Sequence, residues 1–367
     1  MSGFAAMFRK ELTQMLRDRG TLFFALAVPI AELILFGVID MNAKNIPTAV
    51  LDLSRTQESR RLIEQLNATV NLRVTQYVLS RQELQHAIVA GHAQVAVEIP
   101  PDYARNLAGG RTANVLVMID GSDSSIANQA LAAANGVAFV TALQEMVQKA
   151  KQQPPIEAHP VMMFNPDMRS ANLLIPGLIA ILLTFSGTIL AAFAIVKERE
   201  RGTLEQLMVT PVSPLAVVVG KLLPYLGLAY LQLLIILALM NLLFRVPVHG
   251  NIVLLLALSP VYLLSLLSLG LLVSSTAATQ MEAMQRAMGI MLPSVLLSGY
   301  IFPIASLPLP LRVVSHILPA TYYIQIARGI VIRGAGFCDL WEPVAALLGI
   351  SVILISFSAR GFKKTMR

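Results

Sequence analysis

Six stretches of this chain are too long and too apolar to suit a water-soluble fold. A helix rises about 1.5 Å per residue, so crossing a hydrocarbon core of about 30 Å takes about 20 mostly apolar residues. Residues 21–39, 173–196, 225–244 and 252–275 reach that length. Residues 287–304 reach it with Pro293 inside, and residues 343–359 are short, with Trp341 at their edge as an interfacial anchor. Composition agrees: only 13% of the residues are charged, about half the share of a soluble domain. Backbone polar groups in lipid must be bonded internally, so the prediction is an α-helical membrane protein with six transmembrane helices.

Basic residues decide how such a chain sits. One side of the predicted spans holds Arg9, Lys10, Arg17, Arg19, Lys197, Arg199, Arg201, Lys221, Arg286, Arg360, Lys363, Lys364 and Arg367. The short loops of the other side hold Arg245, Arg312, Arg328 and Arg333. The excess places both termini in the cytoplasm, as an even number of spans requires. It also accounts for the net charge of +7 without nucleic acid, since no basic stripe is interleaved with aromatics. Residues 1–20 repeat Phe4, Phe8, Leu12, Met15 and Leu16 at helical spacing among basic residues, which predicts a cytoplasmic interfacial amphipathic helix. Glu11 and Asp18 in that leader, and no small-x-small site after Ile39, favour an uncleaved anchor over a signal peptide. The single cysteine, Cys338, excludes an intramolecular disulfide and reads as an ordinary buried or interfacial residue.

Residues 40–172 alternate differently. Strand-like runs at 46–53, 72–79, 94–99 and 113–120 are separated by helical patterns at 57–67 and 81–90 and by a short helix opened by Pro100, Pro101 and Asp102. A long helix at 125–151 follows, and QQPPIEAHP makes an extended return linker. The order βαβαβαβα predicts an inserted α/β extracytoplasmic domain. Asp120 and Asp123 fit no strong metal loop, and an Asp or Ser of DGSDSS is expected to cap the long helix; His86 and His92 are expected on the surface. No local nucleophile and base can be assembled, and no metal or catalytic site is assigned.

Between the second and third spans the chain reads FAIVKERERGTLEQLMVTPVSP, residues 193–214. Five charges cannot lie in the hydrocarbon core, so the span must end at Val196 while the helix runs on toward Gly202. Thr203, Leu204, Glu205 and Gln206 fit a capping box that starts a second helix, with Leu204, Leu207 and Met208 on one face. Pro211 ends it, and Ser213 with Pro214 starts the next. Spacing alone leaves two readings: a helix resting on lipid, or a knob that enters a groove on a partner protein.

The stretch VKERERGTLEQLMVTP resembles the signature loop of ABC-2 type export permeases, the membrane subunits of ATP-driven exporters. The resemblance extends over the whole chain. FNPDMRSANLLIPG leads into the second span, and LLSGYIFPIASLPLPLRVVSHILPATYYIQIARGIVIRG precedes the last. It implies the ABC-2 exporter fold, with residues 1–20 as interfacial helix, 21–39 as first span, 40–172 as external domain and linker, and 173–367 as five further spans. A coupling helix would lie at about 197–211 and an outer re-entrant segment at about 305–335. Lys197, Glu198, Arg199, Glu200, Arg201, Gly202, Thr203, Leu204, Glu205, Leu207 and Met208 would then dock a nucleotide-binding subunit and pass ATP-driven closure to the spans. Partners implied are that subunit, a second permease subunit (homodimer or paralogue), membrane lipid, and in exporters with such an external domain a periplasmic adaptor. The setting implied is the bacterial inner membrane, with a drug-like or lipid-like substrate leaving the cytoplasm.

The chain has no phosphate loop: Leu222 follows Gly220 and Lys221, and no glycine sits five residues before Gly220. ATP and Mg are therefore expected on the partner, with no cofactor bound by this chain. Glu32, the one carboxylate deep in a span, and Pro293 and Gly299, which break the fifth, are candidates for a substrate pathway. Gln232, Asn241, Thr184, Ser186, Gly187 and Thr188 are expected to serve helix packing. Arg312, Arg328 and Arg333 read either as contacts to anionic headgroups or as interfacial snorkelling. Two alternatives to an exporter subunit are a secondary transporter, which predicts repeated discontinuous helices, and an anchored receptor whose external domain binds ligand. The receptor has no use for the cytoplasmic knob.

Overall fold

A computed structural model describes residues 2–39, 44–150, 164–167, 169–200, 202 and 214–365. The chain divides into two compact units, Met1–Ile39 with Met163–Arg367, and Asp40–Met162.

The first unit is helical. Helix α1 (Ser2–Arg17) is followed by α2 (Arg19–Leu22), which runs through one π turn (Phe23–Ala27) into α3 (Val28–Val38). The wide turn has a local cause. Pro29 has no N–H to give the preceding turn, and the Val28 amide reaches back five residues to Phe23. Along α1 the buried positions are Met7, Glu11 and Met15, while Leu16 is 57% exposed. The buried stripe is thus displaced from the one its large apolar residues predict, and it contains a carboxylate.

The centre of this unit is α8 (Ser170–Glu200), its most apolar stretch 88% buried. Around it stand α9 (Pro214–Leu242), α10 (Ile252–Thr276), α11 (Gln280–Leu297), the short α12 (Leu309–Ser315), α13 (Pro319–Val331) and α14 (Trp341–Thr365). Packing is close where glycine allows it: a Cβ on Gly270 would stand 2.4 Å from the Thr188 carbonyl oxygen. Polar side chains within the bundle bond across helices as expected. Ser186 donates to Gln232 at 2.6 Å, Thr184 and Tyr262 share a bond of 2.6 Å, and Tyr262 stacks on Tyr323 at 4.2 Å. Asn241 is exposed instead.

The fifth expected span is where the helix falls differently. Its helix covers Gln280–Leu297, not 287–304. The Thr279 hydroxyl accepts from the Glu282 amide and the Glu282 carboxylate from the Ala278 amide, which fixes an early, polar start. Gly299, at φ +82°, stops it. Six described helices are long and apolar enough to cross a membrane; five match expected spans and the sixth is Ile126–Gln144.

That sixth helix belongs to the second unit, whose elements are β1 (Ile46–Asp52), α4 (Gln57–Ala68), β2 (Leu72–Tyr77), α5 (Arg81–Val89), β3 (Val95–Ile99), α6 (Tyr103–Ala108), β4 (Leu116–Ile119) and α7 (Ser124–Ala150). The sheet order is β2-β1-β3-β4, with β1 parallel to both neighbours and β4 antiparallel to β3. Alternation fills both faces: Ile46, Val50, Val95 and Val97 pack with α4 and α6 residues, and Ala49, Leu51 and Ala96 pack with Leu84 and Ala87 of α5. Asp123 caps α7, its carboxylate accepting from the Ile126 amide at 3.1 Å; His86 and His92 are exposed. The return linker 152–160 lies outside the described residues.

Candidate functional site

The charged run that ends α8 marks the place to look. The helix continues through Glu200, and Gly202 follows at φ +67°, its amide returning to the Arg199 carbonyl at 3.1 Å. Arg201, Thr203, Leu204, Glu205, Leu207 and Met208 lie outside the described residues. The side chains of Lys197, Glu198, Arg199 and Glu200 are each bonded to another part of the same unit, Glu200 while remaining exposed.

Glu198 is 4% exposed. Its carboxylate meets Lys221 Nζ of α9 at 2.6 Å and Lys10 Nζ of α1 at 2.8 Å. Lys221 also meets Glu11 of α1 at 3.0 Å and the Ala194 carbonyl at 3.4 Å. Among the described residues two acids and two bases thus form a neutral cluster, with Glu11 and Lys221 as buried as Glu198 and Lys10 reaching the surface. Removing one member of such a cluster leaves a charge without a partner in a dry place, which costs far more than the intact cluster contributes. Gly220 permits this arrangement: a Cβ there would stand 3.1 Å from Cβ and Cγ of Met7. Substitution would press Met7 and α1 away from α9 beside Glu11.

Lys197 pairs with Asp18, the residue between α1 and α2. Asp18 also caps α2, accepting from the Thr21 amide at 3.2 Å and hydroxyl at 2.8 Å. The Lys197 ammonium is the main reason the Asp18 carboxyl is held down to about 2. On the opposite side, Arg199 donates to the Ala277 and Ser275 carbonyls, and Glu200 accepts from the Gln280 amide at 2.7 Å. The last turn of α8 is therefore bonded to α1, α2, α9 and the α10–α11 turn. A cavity of about 1000 Å³ opens beside it, bordered by Arg9, Gln14, Asp18 and Tyr225 among others.

The residues proposed for a substrate pathway do not converge. Glu32, on α3, is half-buried and makes no hydrogen bond or ion pair among the described residues. Gly299 lines a cavity of about 390 Å³ that neither Glu32 nor Pro293 reaches. Sequence reasoning missed Lys10, Glu11, Asp18 and Lys221 as members of a site. Two signals were present. Glu11 sits at position 4, 8, 11, 15 spacing with Phe4, Phe8 and Met15, and Lys221 is the one charge in PLAVVVGKLLPYL.

Four long apolar helices packed with a central span, its charged end bonded to an N-terminal amphipathic helix, define a multi-pass membrane protein. Comparison with known proteins gives the family. The model for ABC-2 family transporter protein matches residues 19–360, and the chain belongs to that family. It is similar to the Escherichia coli (strain K12) protein named Probable multidrug ABC transporter permease YbhS, 30% identical over 96% of this chain and 94% of that one. It is also similar to the YbhR permease of the same strain, 28% identical over 98% and 97%. ABC transporter G family member 20 of Dictyostelium discoideum matches 56% of this chain and 29% of its own length, at 28% identity. The chain is thus the permease component of an ABC transporter.

Proposed function

We propose that this permease is the membrane subunit of an exporter, moving a hydrophobic or amphipathic, drug-like or lipid-like substrate out of the cytoplasm with ATP hydrolysed by a separate nucleotide-binding subunit. Residues 197–211 receive that subunit. Both termini face the cytoplasm of a bacterial inner membrane, the α/β unit lies on the other side, and a second permease completes the pathway. A periplasmic adaptor is a further partner, and ATP and Mg reside on the nucleotide-binding chain.

The observation that carries this reading is the closed cluster of Lys10, Glu11, Glu198 and Lys221. The docking segment leaves α8 at Gly202 and rejoins the unit at α9. Ion pairs tie those two helices to each other and to α1, so a push on the segment moves three helices together. A loop that merely rested on lipid would need no such buried anchorage. Division of labour follows: Leu204, Leu207 and Met208 supply the apolar contact with the partner, while Glu198 and Lys197 hold the base rigid.

The test is co-purification from native membranes. Leu204→Ala with Leu207→Ala is expected to release the ATP-binding subunit while the permease still inserts. Retention of that subunit at the wild-type level would overturn the assigned docking face.

A further inference from the structure

A second group of charges in the helical unit is built in the opposite way. Arg328 of α13 donates from Nη1 to the Gly299 carbonyl at 2.9 Å and from Nη2 to the Tyr300 carbonyl at 3.1 Å. Its guanidinium lies over the Tyr300 ring, 6.0 Å from the centroid. A Cβ on Gly177 of α8 would stand 3.0 Å from Nη2, so the group is held flat between α8 and the turn after α11. A guanidinium has five N–H donors and no way to lose its charge at ordinary pH. Two carbonyls accept two of them, and Nε is buried without a hydrogen-bond partner.

No counter-ion is supplied among the described residues. Arg333 lines the same cavity, yet no described Asp or Glu comes within 4.0 Å of either arginine. Ser298, 1% exposed, borders the cavity with an Oγ that has no partner. The remaining walls are mainly apolar, among them Leu173, Ile324 and Ile332. Capping of α11 by Arg328 accounts for its two carbonyl bonds. It does not account for the buried Nε and Ser298 Oγ, both without a partner, beside a recess that the exposed Arg333 also borders.

We infer that this cavity of about 390 Å³ binds a phosphate group, held by Arg328 and Arg333 with the Ser298 hydroxyl as a further donor. The apolar walls take the adjoining hydrocarbon when the phosphate belongs to a lipid. Arginine suits this role because its planar fork matches phosphate oxygens in pairs. The inference stands apart from the exporter reading, since it needs neither a direction of transport nor an ATP-binding partner.

The experiment uses the full chain in detergent after delipidation. Native mass spectrometry counts adducts of dioleoylphosphatidylglycerol, of dioleoylglycerol as the same tails without phosphate, and of inorganic phosphate. Wild type is expected to retain the phospholipid about tenfold over dioleoylglycerol, and Arg333→Gln to lose about that factor, the equivalent of one good charge-assisted contact. Displacement of the phospholipid by inorganic phosphate identifies free phosphate as the ligand; no displacement identifies the lipid headgroup. Arg328→Gln removes the brace on the Gly299–Tyr300 turn as well and can misfold, so Arg333→Gln and Ser298→Ala carry the test. The inference is overturned if wild type retains neither phosphate compound, if it holds dioleoylglycerol equally well, or if Arg333→Gln retains the phospholipid unchanged.

Discussion

The last turn of α8 and the recess beside Gly177 near its start hold charge in contrasting ways. At the Glu198 end, Lys10 and Lys221 face Glu11 and Glu198, and the charges cancel within hydrogen-bond distance. At the Gly177 end, Arg328 and Arg333 stand without a carboxylate among the described residues. A balanced, buried cluster has nothing left to offer a ligand, and what it provides is fixed geometry between helices. An unbalanced one leaves donors and charge directed at an open cavity. The same helix thus carries a rigid joint at one end and, in our reading, a ligand site at the other.

The largest effect should come from unbalancing the closed end. Lys221→Met leaves Glu11 and Glu198 with Lys10 as their one shared cation and a net negative charge in a buried place, and is expected to destabilise the permease by about 3–5 kcal/mol. A lowered thermal midpoint in detergent would record it. Adding Glu198→Gln should restore most of the loss, because Lys10 and Glu11 then balance each other.

Packing at the two ends offers the next comparison. Gly220→Leu forces a side chain into Met7, and Gly177→Ala forces a methyl against Arg328 and Tyr300. Overpacking of this kind costs about 1–3 kcal/mol. Gly220→Leu should loosen α1, read as faster proteolysis near Arg9 and Arg17, with phosphate retention unchanged. Gly177→Ala should show the converse.

A smaller, pH-dependent effect belongs to Asp18. Its carboxyl is held down to about 2 by Lys197, below the ordinary value near 3.9. A depressed carboxyl contributes stability above its unfolded value and loses it as pH falls through its folded one. Wild type should therefore exceed Asp18→Asn in thermal midpoint at pH 6, with the two converging as pH drops from about 5 toward 2. A gap that persisted unchanged at the acid end would contradict the pairing. Smallest of all, Tyr262→Phe removes the bonds to Thr184 and the Ala180 carbonyl. Interhelical bonds in membrane bundles average about 0.6 kcal/mol, and chemical unfolding in mixed micelles should show a loss of that order.

How much of this could be read from the chain differs between its parts. Apolar runs gave the positions of α8, α9 and α10 because a span is a local property of about 20 residues. The same held for the strand and helix order of residues 46–150, where turn signals and caps such as Thr56 and Ser80 are local. The sheet order β2-β1-β3-β4 was not legible, since pairing is decided by contacts across the sheet. Nor were the partners of Glu198: Lys10 lies 188 residues away in sequence, and Lys221 joins Glu11 across 210. The fifth span was misplaced because hydropathy outweighed the Thr279 and Glu282 cap. The side chains of Lys197, Glu198, Arg199 and Glu200, expected as part of a docking surface, are also engaged within the unit by residues far away in sequence, which local spacing could not show.

The joint at the end of α8 is tested most directly by dismantling it without stranding a charge. Glu198→Gln with Lys221→Met leaves Lys10 paired with Glu11, which already stand 3.7 Å apart. The measurement is ATP-driven uptake of the hydrophobic dye Hoechst 33342 into inside-out vesicles carrying this permease and its ATP-binding partner. The account predicts that the double variant inserts, retains the partner, and loses uptake by about tenfold or more, the equivalent of about 1.4 kcal/mol of coupling. Uptake at the wild-type rate with the cluster gone would show that these ion pairs do not transmit the stroke.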